Sequence, residues 1–165
     1  MPQDPRRPVL ADPYAVDRAR VFLDETVGRM GFDARVIVHD RETETVLEFV
    51  GVDAPKLAAR KGAALDALQL LACRVASRAM GGERAALVVD ADRWRERRER
   101  ALTKQAEQLG AECVKRAKVI VMEPLPPRER RVVHMALARF PGVTTQSEGD
   151  GEERRIKIIP MPAPR

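Results

Sequence analysis

Two adjacent prolines, Pro126 and Pro127, constrain this chain more than any other pair of residues. Proline has no amide hydrogen and a fixed φ, so within a helix it fits only the first turn. The stretch 126–140, PPRERRVVHMALARF, therefore reads as a short helix whose start is set by its own covalent structure. Its apolar residues are Val132, Val133, Ala136, Leu137 and Phe140. Arg130 and His134 stand four positions apart, roughly 40° around the helix axis. They fall at the border of the apolar face, where a guanidinium and an imidazole can present several N–H donors to a phosphate.

The remaining segments follow from hydrophobic period and from breakers. Val16, Ala19, Phe22, Leu23, Val27 and Met30 recur at helical spacing, and Gly31 closes that helix. Residues 35–39 and 45–50 read as a β-hairpin. A second helix carries the stripe Leu65, Leu68, Ala72, Val75 and Ala79 and stops at Gly81-Gly82. Residues 85–89 read as a strand, after which Asp92 is placed to cap a long Arg-rich helix with the stripe Leu102, Ala106, Leu109, Cys113 and Ala117. Residues 118–122 form a short strand ahead of the helix at 126–140. Residues 143–148 and 154–159 form a closing hairpin. Helices and strands in this order predict an α+β fold.

Two places suit an anion. Ala59-Arg60-Lys61-Gly62 leads into the Leu65 helix, where unpaired backbone N–H groups, two cations and a glycine coincide. The other is the Arg130/His134 edge, which the alternation of the last strand extends by placing Arg155 and Lys157 on one face. Thr144, Thr145 and Ser147 are further hydroxyl donors there. Lys and Arg number 30 against 25 Asp and Glu, a balance that favours polyanionic partners.

Catalytic chemistry is not legible. The two histidines, His39 and His134, have no recognisable nucleophile or carboxylate cluster beside them, and Cys73 and Cys113 form no CxxC pair. No cofactor, metal or enzymatic activity is expected, and both thiols are expected reduced and packed. No apolar run reaches the roughly 18 residues needed to span a bilayer. The N-terminal MPQDPRRPVLADP lacks a signal-peptide core. A cytoplasmic protein without membrane insertion is the expectation. Aromatic residues make up only 4% of the chain. Few stacking platforms exist, and Trp94 is expected to pack at a junction between two modules.

LAARKGAALDALQLL resembles the core of a type II KH domain, with its IGxxG loop followed by an LDALQ-like helix. PPRERRVVHMAL followed by GVTTQSEGDGEERRIKIIP resembles the R-three-H domain, named for its Arg-x-x-x-His. The two in this order are similar to the Jag family (SpoIIIJ-associated protein, also called KhpB). The resemblance covers about Tyr14 to Pro160 and implies a KH-like domain at 14–91 and a small α/β R-three-H domain at 92–160; the Pro-, Asp- and Arg-rich 1–13 reads as a disordered tail and the Pro-rich 161–165 as an extended one. It implies a bacterial protein that binds single-stranded RNA, and by the same phosphate chemistry single-stranded DNA, with a role in cell elongation or division. It also implies a small single-KH protein, or a second copy, as protein partner. By this resemblance Arg130 and His134 contact backbone phosphate, Arg60, Lys61 and Gly62 form the KH loop, and Arg155 and Lys157 lie on the matching strand. Ala59 stands where the KH pattern has its first glycine. That departure supports a second reading, in which the KH half is a packing or dimerisation module and nucleic-acid binding is incidental.

Overall fold

The computed structural model describes residues 8–161. The chain divides into two compact units, Met1–Arg95 and Glu96–Arg165. The boundary thus falls a few residues beyond the expected 91/92, because Trp94 and Arg95 are packed into the first unit.

In the first unit, α1 (Pro13–Arg29) is followed by β1 (Arg35–Asp40), β2 (Thr45–Val50), the short α2 (Ala54–Leu57), α3 (Ala59–Ala79) and β3 (Leu87–Ala91). The sheet order is β1-β2-β3. β1 and β2 are antiparallel and joined by a tight turn. β2 and β3 are parallel, so the chain must cross over between them, and α2 and α3 make that crossing. The register sets Leu47 opposite Val89 and Phe49 opposite Ala91, and all four are fully buried. Ala15, Ala19, Leu23 and Val27 of α1 join Leu65, Leu68, Ala72 and Ala76 of α3 in the same core.

The outer edge of β3 is closed by side chains. Cys73 Sγ donates to the Leu87 carbonyl, Val89 N–H donates to Gln69 Oε1 at 3.2 Å, and Arg95 Nε donates to the Val89 carbonyl at 2.8 Å. Arg95 is only 8% exposed and also binds Gln69 at 3.0 Å and Asp66 at 2.8 Å. One residue of the apparently solvated Arg-rich run is therefore a buried clamp on a strand edge that would otherwise invite pairing.

Three local expectations change. Residues 1–7 of the expected tail lie outside the described residues, but Val9 forms a parallel bridge to Ala85 and Asp12 caps α1 through Ala15 N–H. Val9 joins the backbone of 84–86 through two bonds: Val9 N–H donates to Arg84 O at 2.8 Å and Ala86 N–H to Val9 O at 2.7 Å. β3 also starts two residues later than expected, and Asp90 belongs to it. Asp92 has φ of 49°, outside the extended region of an N-cap; Asp90 Oδ1 instead accepts from Arg95 N–H at 3.2 Å.

The second unit contains α4 (Trp94–Arg116, which begins in the first unit), β4 (Ile120–Val121), α5 (Pro127–Leu137), β5 (Val143–Glu148), a 3₁₀ turn (Gly151–Glu153) and β6 (Arg155–Pro160). The sheet order is β4-β6-β5, antiparallel throughout. Leu102, Ala106 and Cys113 of α4, Val133 and Leu137 of α5, and Val143, Ile156 and Ile158 of the sheet share one core. Ala117, expected in the α4 stripe, is exposed with φ of 49°, since the helix has already ended at Arg116. Cys73 and Cys113 are free thiols, as expected, and burial pushes both pKa values up.

Glu129, on the first turn of α5, is buried and accepts two bonds from Arg98 of α4, at 2.7 and 2.9 Å. Arg98 is three-quarters buried, so removing its partner leaves a largely desolvated cation. Glu129→Ala is expected to cost about 2–3 kcal/mol, read from the urea midpoint, and Glu129→Gln less. In the first unit, Gly62 has φ of +77° and an added Cβ would collide with the Trp94 indole. Gly62→Ala combines left-handed strain with overpacking and is expected to cost about 2–4 kcal/mol. An unchanged unfolding midpoint would mean that the indole does not rest on this glycine.

Candidate nucleic-acid interface

Pro126 is the N-cap of α5 and Pro127 its first residue, as the covalent constraint requires. No side chain caps this end. Arg130 reaches back instead: its Nη1 donates to the Leu125 carbonyl at 2.7 Å. Leu125 N–H in turn donates to the Arg154 carbonyl at 3.1 Å. Arg130 thus ties the proline loop to its own helix while the loop is tied to the sheet. The guanidinium is half-buried and keeps donors beyond the one used here.

His134 lies one turn on and is exposed. Its Nδ1 is 2.6 Å from Thr145 Oγ1 on β5. With Nδ1 engaged by the hydroxyl, the ring plane is oriented and Nε2 remains for a ligand. The structure therefore brings Arg130, His134 and Thr145 to one border of α5, and neither the guanidinium nor the imidazole is locked to a carboxylate.

Arg155 and Lys157 do not extend that border. In β6 the alternate residues Ile156 and Ile158 face the core with α5, so Arg155 and Lys157 point to the opposite face of the sheet. Arg155 is paired with Glu153 at 3.1 Å and Lys157 with Glu148. The period of two placed them together correctly; which sheet face α5 covers is a tertiary outcome. Thr144 shares their open face, since it pairs with Ile159, whereas Ser147 binds Arg154 Nε at 2.9 Å.

Three exposed arginines of α5 and the turn after it, Arg128, Arg131 and Arg139, have no ion pair among the described residues. By contrast Arg98, Arg100, Arg116, Arg155 and Lys157 are all matched with carboxylates. Arg128 and Arg131 are cations that the Arg-x-x-x-His spacing did not single out. The signal was present: in RERR, with Arg130 at the border, Arg131 lies roughly 100° further from the apolar face.

In the first unit, α3 is kinked near its start, where Arg60 (φ 52°), Lys61 (φ 59°) and Gly62 (φ 77°) are successively left-handed. Such a run is costly for residues with a Cβ, by roughly 1–2 kcal/mol each. Ala59 is not among the positive-φ residues, so its Cβ is tolerated and the strain falls on the two cations. Arg60 and Lys61 are exposed, but Gly62 is buried beneath Trp94. Its expected role as an open point of backbone approach is therefore not what the packing provides. Trp94 rests on this loop within the first unit.

The other histidine, His39, lies 2.9 Å from Glu48 across the β1–β2 pair. Among the described residues no three His, Cys, Asp or Glu side chains are grouped to hold a metal, and no helix is long and apolar enough to cross a membrane.

The family model for the R-three-H domain matches residues 100–160, the segment that holds Arg130 and His134. Three curated proteins, each named RNA-binding protein KhpB, are similar over most of the chain. That of Clostridium symbiosum is 28% identical over 144 residues, covering 86% of this chain and 64% of its own. That of Bacillus subtilis (strain 168) is 27% identical over 145 residues, covering 87% and 69%. That of Lactiplantibacillus plantarum is 30% identical over 162 residues, covering 94% and 50%. The chain thus spans between half and about two-thirds of the length of these relatives. With the Arg-x-x-x-His pair on one helix border and an R-three-H match around it, the chain carries an R-three-H domain and is similar, through both units, to proteins named RNA-binding protein KhpB.

Proposed function

We propose that this protein binds single-stranded RNA, mainly through phosphates, along the solvent side of α5. The observation that carries the reading is the division of labour among its nitrogen donors. Arg98 and Arg130 are used inside the fold, while His134 Nε2, Arg128 and Arg131 face solvent without carboxylate partners. The names of the similar proteins support RNA as the ligand. Single-stranded DNA offers the same phosphates and is a weaker candidate. Arg155 and Lys157 belong to a separate, charge-paired face and are secondary contacts at most. A cytoplasmic binding protein with a role in cell elongation or division, rather than an enzyme, is the reading that the resemblance to the Jag family adds.

For the first unit, the order α-β-β-α-α-β with a parallel β2–β3 pair supports a type II KH-like domain. Arg60 and Lys61, displayed by the left-handed loop, are its proposed phosphate contacts. The burial of Gly62 favours the second reading for this half, as a packing module that meets a small KH protein or another copy.

Titration of a fluorescent oligoribonucleotide with the full chain at several salt concentrations tests the proposal. Three or four neutralised phosphates predict a slope of about −2 to −3 in log K against log salt. Arg131→Ala is expected to flatten that slope by about 0.7, and His134→Ala to weaken binding severalfold. Arg130→Ala is a poorer probe because it also strips the Leu125 carbonyl of its donor. Affinity unchanged in both Arg131→Ala and His134→Ala would reject the interface. Release of labelled RNA fragments, abolished by His134→Ala, would reject the non-enzymatic part.

A further inference from the structure

Between α4 and α5 the second unit has an open groove of about 310 Å³, at the lower end of the small-ligand range, about 300 Å³ upward. Val132 and Met135 form its apolar floor, Arg128 and Arg131 stand on the α5 side, and Glu99 and Thr103 on the α4 side. Met135 is 63% exposed, far more than a core methionine. Glu99, Arg128 and Arg131 have no ion pair among the described residues, although they line one groove. Elsewhere on α4 the acidic residues at 96 and 112 are matched with Arg100 and Arg116.

This mixture excludes a simple anion site. A bare phosphate would gain from the two arginines but meet the Glu99 carboxylate. A purely apolar ligand would leave all three charges unanswered. An occupant that answers every group has a flat apolar body, an anionic backbone beside it and N–H donors at one edge. A nucleotide within a strand has all three. Among the four bases, guanine alone sets two adjacent N–H donors, the ring N1–H and the exocyclic amine, on its Watson–Crick edge. That edge is open to side chains when RNA is single-stranded, and a carboxylate accepts from both donors in parallel.

We propose that this groove holds one guanine of a bound single strand, with its edge on Glu99, its face on Met135 and Val132, and its flanking phosphates on Arg128 and Arg131. The inference rests on the RNA-binding reading above and adds base preference to it. The polarisable Met135 thioether supplies the surface that the chain's few aromatics do not. The path from His134 past Arg131 to the groove follows the outside of α5.

The test compares two fluorescent RNAs of roughly 12 nucleotides on the full chain, oligouridine and the same strand with one central guanosine. The guanosine strand is expected to bind roughly 5- to 10-fold more tightly, the scale of one good bidentate contact. Glu99→Gln is expected to bring that ratio close to unity, because the amide replaces one acceptor oxygen by a donor. Met135→Ala is expected to reduce the ratio in part. His134→Ala is expected to weaken both strands while keeping the ratio. Equal affinity of the two strands for the unaltered protein, or a ratio that survives Glu99→Gln, would overturn the groove assignment. If binding nevertheless depended on His134, the RNA reading would stand. Failure to bind either strand would overturn both.

Discussion

The bidentate contact between Arg98 and Glu129 sets the rotation of α5, and the candidate interface depends on that rotation. Each residue turns a helix by about 100°. With Glu129 buried and gripped at 2.7 and 2.9 Å, Val133 and Leu137 must follow it into the core. Arg130 then lands at one border, beside the proline loop, and Arg131 on the outer side. A rotation of one position would bury Arg130 and carry His134 away from Thr145. A buried ion pair is a costly way to gain stability. Its geometry here is directional, however, and a pair of apolar residues would specify the rotation less sharply.

A similar device operates in the first unit. Arg95 leaves the charged run of α4 to close the edge of β3, binding Asp66, Gln69 and the Val89 carbonyl together. A few residues before it, Asp90 supplies the acceptor for Arg95 N–H. Trp94, next to Arg95, covers Gly62 and so braces the strained loop that displays Arg60 and Lys61. The glycine is needed twice at this position, for its positive φ and for the indole that a Cβ would displace. Charge in this protein is thus divided between groups that build the architecture and groups left for solvent, and formal net charge alone does not reveal the division.

Much of the fold was legible in the chain. The breakers Gly31, Gly81-Gly82 and Pro126-Pro127 and the periods of two and 3.6 located most helices and strands, with small shifts at β3, β4 and the end of α4, while the short α2 ahead of α3 was not separated from it. The elements that moved did so for local reasons. Asp90 reads as a boundary because it is polar, yet it alternates outward within β3. Val9 reads as tail because prolines surround it, yet it forms a parallel bridge to Ala85. For the site, Arg130 and His134 were legible because four-residue spacing on a helix is a fact of covalent geometry. The partition of Arg128 and Arg131 from Arg98 was not, since it depends on where Glu129 sits.

Residue order alone was enough to set where α5 begins, that Arg130 and His134 share its border, and that Arg155 and Lys157 share a face of β6. These follow from bonds, fixed φ angles and periodicity, which act over a few residues. It took the packed fold to turn the Arg155/Lys157 face away from α5, to cover Gly62 with Trp94, and to leave facing solvent the cations outside the Arg98–Glu129 contact. Those outcomes come from packing and charge pairing between residues distant in the chain, where the competing partners cannot be ranked before the backbone brings them within reach.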